Sequence, residues 1–166
     1  MKRREFLGKT LAGTAGIALG TTSMLTSSCK GSNDKVVLAL IGAGSRGRDT
    51  IISCCRQNPN VEIKTVCDVN DLKASSAVEA IGKELGYIPV STRYMKEVLD
   101  DRDVDAVWIS TPDHWHALAT IWACQAGKDV YVEKSPSHSI WEGKKMTEAA
   151  KKYRQIVQVG LSLIHI

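Results

Sequence analysis

Residues 36–47, VVLALIGAGSRG, constrain the fold most, because an apolar β-rich run passes directly into glycines spaced G-x-G-x-x-G at Gly42, Gly44 and Gly47. At such a strand-to-helix turn each glycine has its own task. Gly42 permits the tight turn, Gly44 lets the backbone approach a pyrophosphate, and Gly47 lets the new helix pack closely on the strand. Phosphates then sit on the helix N-terminus, where free N–H groups and the dipole favour an anion, and Ser45 and Arg46 belong to the same cradle. A second apolar run over 61–67 ends at Asp68, about 20 residues past the last glycine, where a carboxylate accepts hydrogen bonds from an adenosine ribose. A carboxylate there repels the extra phosphate of NADP, so NAD is favoured. Arg46 and Arg48 are the side chains that would argue for NADP.

Residues 1–29 have a different character. A basic start, MKRREFLGK, leads into TLAGTAGIALGTTSML, too short and too rich in Gly and Thr to span a bilayer, which takes ~20 predominantly apolar residues. The pattern predicts an export signal. Arg3 and Arg4, followed by Phe6 and Leu7, resemble a twin-arginine signal, the address of proteins exported already folded. That route suits a protein that must acquire a nucleotide before leaving the cytoplasm. Cys29, after Leu25, Thr26, Ser27 and Ser28, resembles the lipid-modified cysteine of a bacterial lipoprotein, with Thr26 where such boxes usually carry leucine. Residues 30–34 read as a polar tether. The expected location is the periplasm or envelope, with the membrane reached through a lipid anchor.

The leader also accounts for most of the net charge. It carries Lys2, Arg3, Arg4 and Lys9 against Glu5, whereas the rest of the chain holds 18 basic and 17 acidic residues. A balanced surface gives no electrostatic case for nucleic acid. Of the five cysteines, Cys54 and Cys55 adjoin on an expected helix, Cys67 ends a strand and Cys124 lies on another helix. None has metal-site spacing, so buried thiols are expected. His114 and His116 lie two apart with no third ligand at a useful spacing, so no metal site is expected.

From 35 to 160 the chain alternates short β-rich runs with helical patterns, predicting one α/β domain: a doubly wound parallel Rossmann sheet with helices on both faces. Strands are expected over 36–41, 61–67, 88–90, 104–110, 129–132 and 156–159. Val78, Ile81 and Leu85, and then Ala117, Leu118, Ile121 and Trp122, recur at helical spacing and should face the sheet. Gly86 and Gly127 read as helix stops, and Ser139 with Glu142 as a capping box. Trp115, Trp122 and Trp141 could stack on a sugar, although helical positions make packing the expectation for the last two.

Ligands of such sheets bind beyond the carboxyl ends of the strands. There the chain reads STPDHWH over 110–116 and EKSPSH over 133–138. Together with the glycine turn and Asp68, these segments resemble the glucose-fructose oxidoreductase, inositol dehydrogenase and MocA family, over residues 35–160. The resemblance implies that Thr111, Pro112 and His116 lie beside the cofactor, and that Glu133 and Lys134 are the E-K pair whose lysine lies near the nicotinamide and the reacting hydroxyl. Lys134 and His116 are therefore the expected catalytic residues. The family usually has proline directly after the lysine, while this chain has Ser135 and then Pro136, which changes which peptide can be cis.

The implied activity is NAD-dependent hydride transfer at a hydroxyl-bearing carbon of a sugar, inositol or sugar derivative, by a homo-oligomer when full length. Two alternatives accompany it: a glycosidase that oxidises its sugar transiently, and a non-catalytic dinucleotide-binding lipoprotein. Family members continue into a second domain that supplies most of the substrate pocket. Residues 161–166, LSLIHI, lack the expected glutamine and arginine pattern and read as an atypical tail, so the chain is expected to represent mainly the cofactor domain.

Overall fold

The computed structural model describes residues 35–160. The leader, Cys29, the 30–34 tether and the 161–166 tail lie outside the described residues. Six strands form one parallel sheet: β1 (Val36–Ile41), β2 (Val61–Cys67), β3 (Val90–Thr92), β4 (Ala106–Ile109), β5 (Asp129–Val132) and β6 (Val157–Val159), in the order β3-β2-β1-β4-β5-β6. The helices are α1 (Ser45–Gln57), α2 (Asp71–Leu85), α3 (Met95–Asp100), α4 (His116–Gln125) and α5 (Ile140–Tyr153). None of the described helices is long and apolar enough to cross a membrane.

The strand order reverses at β1, and the burial pattern explains why β1 is apolar throughout. Leu38 and Leu40 pack with Ile51, Ile52, Ala77 and Ile81 on one face, while Ala39 and Ile41 pack with Val107, Ala119, Ala123 and Met146 on the other. A strand covered on both faces needs apolar side chains at successive positions, which is the signature of a buried parallel sheet. The doubly wound expectation and the six strands therefore stand.

Several boundaries differ from the sequence reading. β3 pairs Val90 to Thr92 with Thr65 to Cys67, so its start lies two residues later than expected, after the Ile88-Pro89 pair; proline cannot donate to a ladder. On α2, Ile81 is buried as expected together with Ala74 and Ala77. On α4 the face toward the sheet is small: His116, Ala117, Ala119, Thr120, Ala123 and Cys124 are buried, whereas Leu118 and Trp122 are exposed.

The punctuation is as read. Gly86 and Gly127 take φ of +81° and +75°, and Ser139 and Glu142 form the reciprocal capping box at α5. The helix α5 instead ends on Arg154 at φ +58°, a position without a glycine signal. Cys55, Cys67 and Cys124 are buried and Cys54 half-buried, all as free thiols. Burial pushes Cys55 and Cys67 up to about 11, which removes them as ready nucleophiles.

Lys128, just before β5, is buried and donates to the carbonyls of Asp101 at 2.5 Å and Val104 at 2.7 Å. Burial holds its ammonium below the ordinary lysine range. Lys128→Met should remove the ammonium donor from both carbonyls, leaving Asp101 only the Val104 N–H, and lower stability by about 1–3 kcal/mol, read as a lower midpoint in urea unfolding.

Candidate cofactor and catalytic site

The site is built where β1 ends. Gly42 has φ of +94°, and a Cβ there would lie 2.6 Å from the backbone of Ser110 and Thr111. At Gly47 a Cβ would lie 2.4 Å from the Gly42 carbonyl and 2.8 Å from Ser110 Cβ. Both glycines are thus demanded by other backbone in close contact. Gly44 differs, since a Cβ there would meet nothing within 4 Å. Its position opens outward at the N-terminus of α1, which has no side-chain cap and no acidic residue in its first turn. By contrast Asn70 caps α2 and Ser139 caps α5 with their side chains.

Asp68 stands directly beside this turn. One carboxylate oxygen accepts from the Ala43 N–H at 2.8 Å and the other from the Asn70 N–H at 2.8 Å. The residue expected to take a ribose therefore also braces the glycine turn against the β2–α2 connection. Each oxygen retains a second lone pair for a hydroxyl donor. Arg48 pairs with Asp49 and Arg46 with Glu133, so neither is committed to Asp68. The arginine nearest that loop is Arg93, which donates to the Val69 carbonyl at 3.1 Å and pairs with Asp71.

Two loops complete the site. After β4, Ser110 and Thr111 run under the glycine turn, Pro112 is exposed, and Asp113–Trp115 form a short 3-10 turn into α4. After β5, Glu133 is anchored by its N–H to the Ile109 carbonyl at 2.9 Å. The Lys134–Ser135 peptide is cis, so the cis bond follows the lysine even though the proline sits one position later. His116 is 2% exposed and lies between the loops, with Nδ1 2.6 Å from the Ser135 carbonyl and Nε2 2.8 Å from the Thr111 carbonyl. With both ring nitrogens facing backbone carbonyls, the imidazole ties one loop to the other.

The E-K pair splits between two environments. Glu133 is 4% exposed and accepts from Arg46 Nε at 3.2 Å. Burial and the neighbouring Glu133 carboxylate raise the Tyr131 phenol above its ordinary range. Lys134 is exposed, and no hydrogen bond or ion pair among the described residues engages it.

Sequence reasoning placed the glycines, Asp68, Thr111 and the E-K pair around one rim, at the carboxyl ends of β1, β2, β4 and β5. It missed the Arg46–Glu133 pair, the bracing role of Asp68 and the contacts of Asp113 with the imidazoles of His114 and His138 at 3.8 and 3.7 Å. The Arg46–Glu133, Asp68–Ala43 and Asp113–His138 contacts join residues at least 25 apart in the chain and carry no local signal. Trp141 and Trp122 were expected to pack, but Trp141 is 67% exposed and Trp122 40%, because each lies on the outer side of its helix.

The residues present suit a dinucleotide. Gly44 leaves room against the uncapped first turn of α1, which can bind a diphosphate. Among the described residues Ser110 Oγ and Thr111 Oγ1 are buried without a hydrogen-bond partner, next to the turn, and so have bonding capacity to offer a ligand.

Comparison with known proteins gives the family and the fold. The family pattern described as oxidoreductase family, NAD-binding Rossmann fold, matches residues 36–161. An alpha-N-acetylgalactosaminidase of Shewanella oneidensis is 31% identical over 151 residues, covering 79% of this chain and 33% of that protein. Among solved structures, the WlbA dehydrogenase of Chromobacterium violaceum in complex with NADH and UDP-GlcNAcA superposes with a TM-score of 0.67 at 25% identity, covering 78% of this chain and 36% of the other. The myo-inositol 2-dehydrogenase of Lactobacillus plantarum gives 0.65 at 26% identity, covering 76% and 36%. The chain spans about a third of the length of the curated relatives it matches.

The glycine geometry separates two substitutions. Gly42→Ala should destabilise the fold by about 2 kcal/mol or more, since it meets backbone at positive φ, and should lower the thermal midpoint. Gly44→Ala should leave that midpoint nearly unchanged while weakening NAD+ in a calorimetric titration, because its methyl fills only the space left for the ligand.

Proposed function

The chain belongs to the glucose-fructose oxidoreductase, inositol dehydrogenase and MocA family of oxidoreductases with an NAD-binding Rossmann fold, and on that premise we propose that it is the cofactor half of an NAD-dependent dehydrogenase acting on a sugar or polyol. The observation that carries the reading is the exposed Lys134 beside a buried Glu133, at the same sheet edge as the open Gly44 turn.

Bound NAD supplies the hydride-accepting ring. The residues of the chain do the rest. The first-turn N–H groups of α1 and the Gly44 backbone bind the diphosphate, and Asp68 accepts from the adenosine ribose while repelling a 2′-phosphate. Thr111 and Pro112 flank the nicotinamide side. Lys134 Nζ hydrogen-bonds to the reacting oxygen, accepts its proton as hydride leaves the carbon, and returns that proton to the oxygen in the reverse direction. His116 acts as a positioning residue: by joining the Thr111 and Ser135 carbonyls it holds the Lys134 loop against the β4 loop.

A second reading keeps this site but changes the net reaction to glycoside cleavage through transient oxidation of the sugar. The similarity to an alpha-N-acetylgalactosaminidase favours it. The leader read in residues 1–29, with Cys29 at its end, supports export by the twin-arginine route with a lipid anchor, and the whole protein is read as a homo-oligomer. Mass spectrometry of the mature N-terminus tests the first of these: a diacylglyceryl Cys29 supports it, and an unprocessed Met1 contradicts it.

Lys134→Ala should lower kcat by about 10²–10⁴-fold, the usual contribution of a positioned proton-transfer group, with NAD+ affinity changed only a few-fold. Net NADH from a free polyol supports the dehydrogenase; aglycone release without net NADH supports the glycosidase. Turnover unaffected by Lys134→Ala would remove the lysine from the chemistry.

A further inference from the structure

Arg46 joins two parts of the site that the chain keeps 87 residues apart. It follows Ser45 in the uncapped first turn of α1, beside the open position of Gly44. Its side chain is 63% exposed, yet its Nε reaches the carboxylate of Glu133, whose side chain is only 6% exposed. A carboxylate so enclosed needs a donor, since an uncompensated buried charge is strongly unfavourable. Arg46 supplies it from the rim. A guanidinium has five N–H donors in a rigid fork, and the contact with Glu133 uses the one on Nε. Among the described residues no hydrogen bond or ion pair engages the Nη groups, and Arg46 stands in the first turn of α1, where an anion is favoured.

We propose that Arg46 is a positioning residue that couples occupancy of the diphosphate site to the Glu133–Lys134 loop, holding Glu133 through Nε while its Nη groups receive the diphosphate. The inference rests on the reading of the glycine turn as the diphosphate site. Each anion fixes the rotation of the guanidinium for the other, because the fork is planar and its donors are not independently movable. Glu133 is in turn anchored to β4 through its N–H and the Ile109 carbonyl, so the constraint passes to Lys134, the next residue. Filling the diphosphate site therefore steadies the lysine before any substrate arrives. A lysine at position 46 would keep the charge but present a single point, without a second face for the phosphate.

Hydrogen–deuterium exchange of residues 131–138 tests this, using ADP-ribose, which carries the diphosphate but no nicotinamide to touch the loop directly. In the parent protein, saturating ADP-ribose should slow exchange of that segment by about fivefold or more, the lower end of ordinary coupling between sites. Arg46→Lys and Arg46→Gln should both bind ADP-ribose at higher concentration and, once saturated, show no slowing there. Glu133→Gln should bind ADP-ribose more weakly, because the guanidinium is no longer held for the phosphate, and should show no slowing once saturated. Equal slowing in parent and Arg46→Gln at saturation would overturn the coupling and leave the cofactor reading intact. Absence of ADP-ribose binding to the parent would overturn both.

Discussion

Everything at the site depends on how closely the ends of β1 and β4 approach. The backbone at Ser110 and Thr111 lies where a β-carbon on Gly42 would have to sit, and the Gly42 carbonyl lies where one on Gly47 would. Three backbone segments therefore meet with no side chain between them. This contact sets the path of the turn, the start and direction of α1, and the position of the β4 loop. Because the sheet order reverses between β1 and β4, the turn and the loop border the crevice in which such folds hold ligands.

Charge is then arranged around that contact in layers. Asp68 takes the Ala43 and Asn70 N–H groups and so fixes the outer wall of the turn. Glu133, enclosed on the opposite side, is matched by Arg46 from α1. One carboxylate thus stands after β2 and the other after β5, and each contacts the segment where the uncapped helix begins. His116 adds a connection of a different kind, a buried ring lodged between two carbonyls. Lys134 is exposed, and no hydrogen bond or ion pair among the described residues engages it.

Much of this was legible in the chain because it rests on local rules. Glycines needed for close approach and positive φ, a capping box at Ser139 and apolar runs for strands covered on both faces all announce themselves within a few residues. The start of β3 was less legible, since Ile88-Pro89 is apolar but Pro89 cannot join a ladder. The small-residue face of α4 was hidden by bulkier neighbours, Leu118 and Trp122, that share its helical periodicity but point outward. Asp68 and Arg46 were marked as cofactor contacts, but their second partners, Ala43 and Glu133, depend on strand order and register, which spacing does not encode. His116 was read as a residue beside the cofactor, whereas its place as a tie depends on a Ser135 carbonyl whose direction no local pattern specifies.

The most direct measurement is a crystal structure of the protein grown with NAD+. The account predicts the diphosphate on the first-turn N–H groups of α1 beside Gly44, the adenosine ribose on Asp68, and the nicotinamide reaching the loop that carries Lys134. A dinucleotide seated away from the glycine turn, or a nicotinamide that turns away from Lys134, would contradict it.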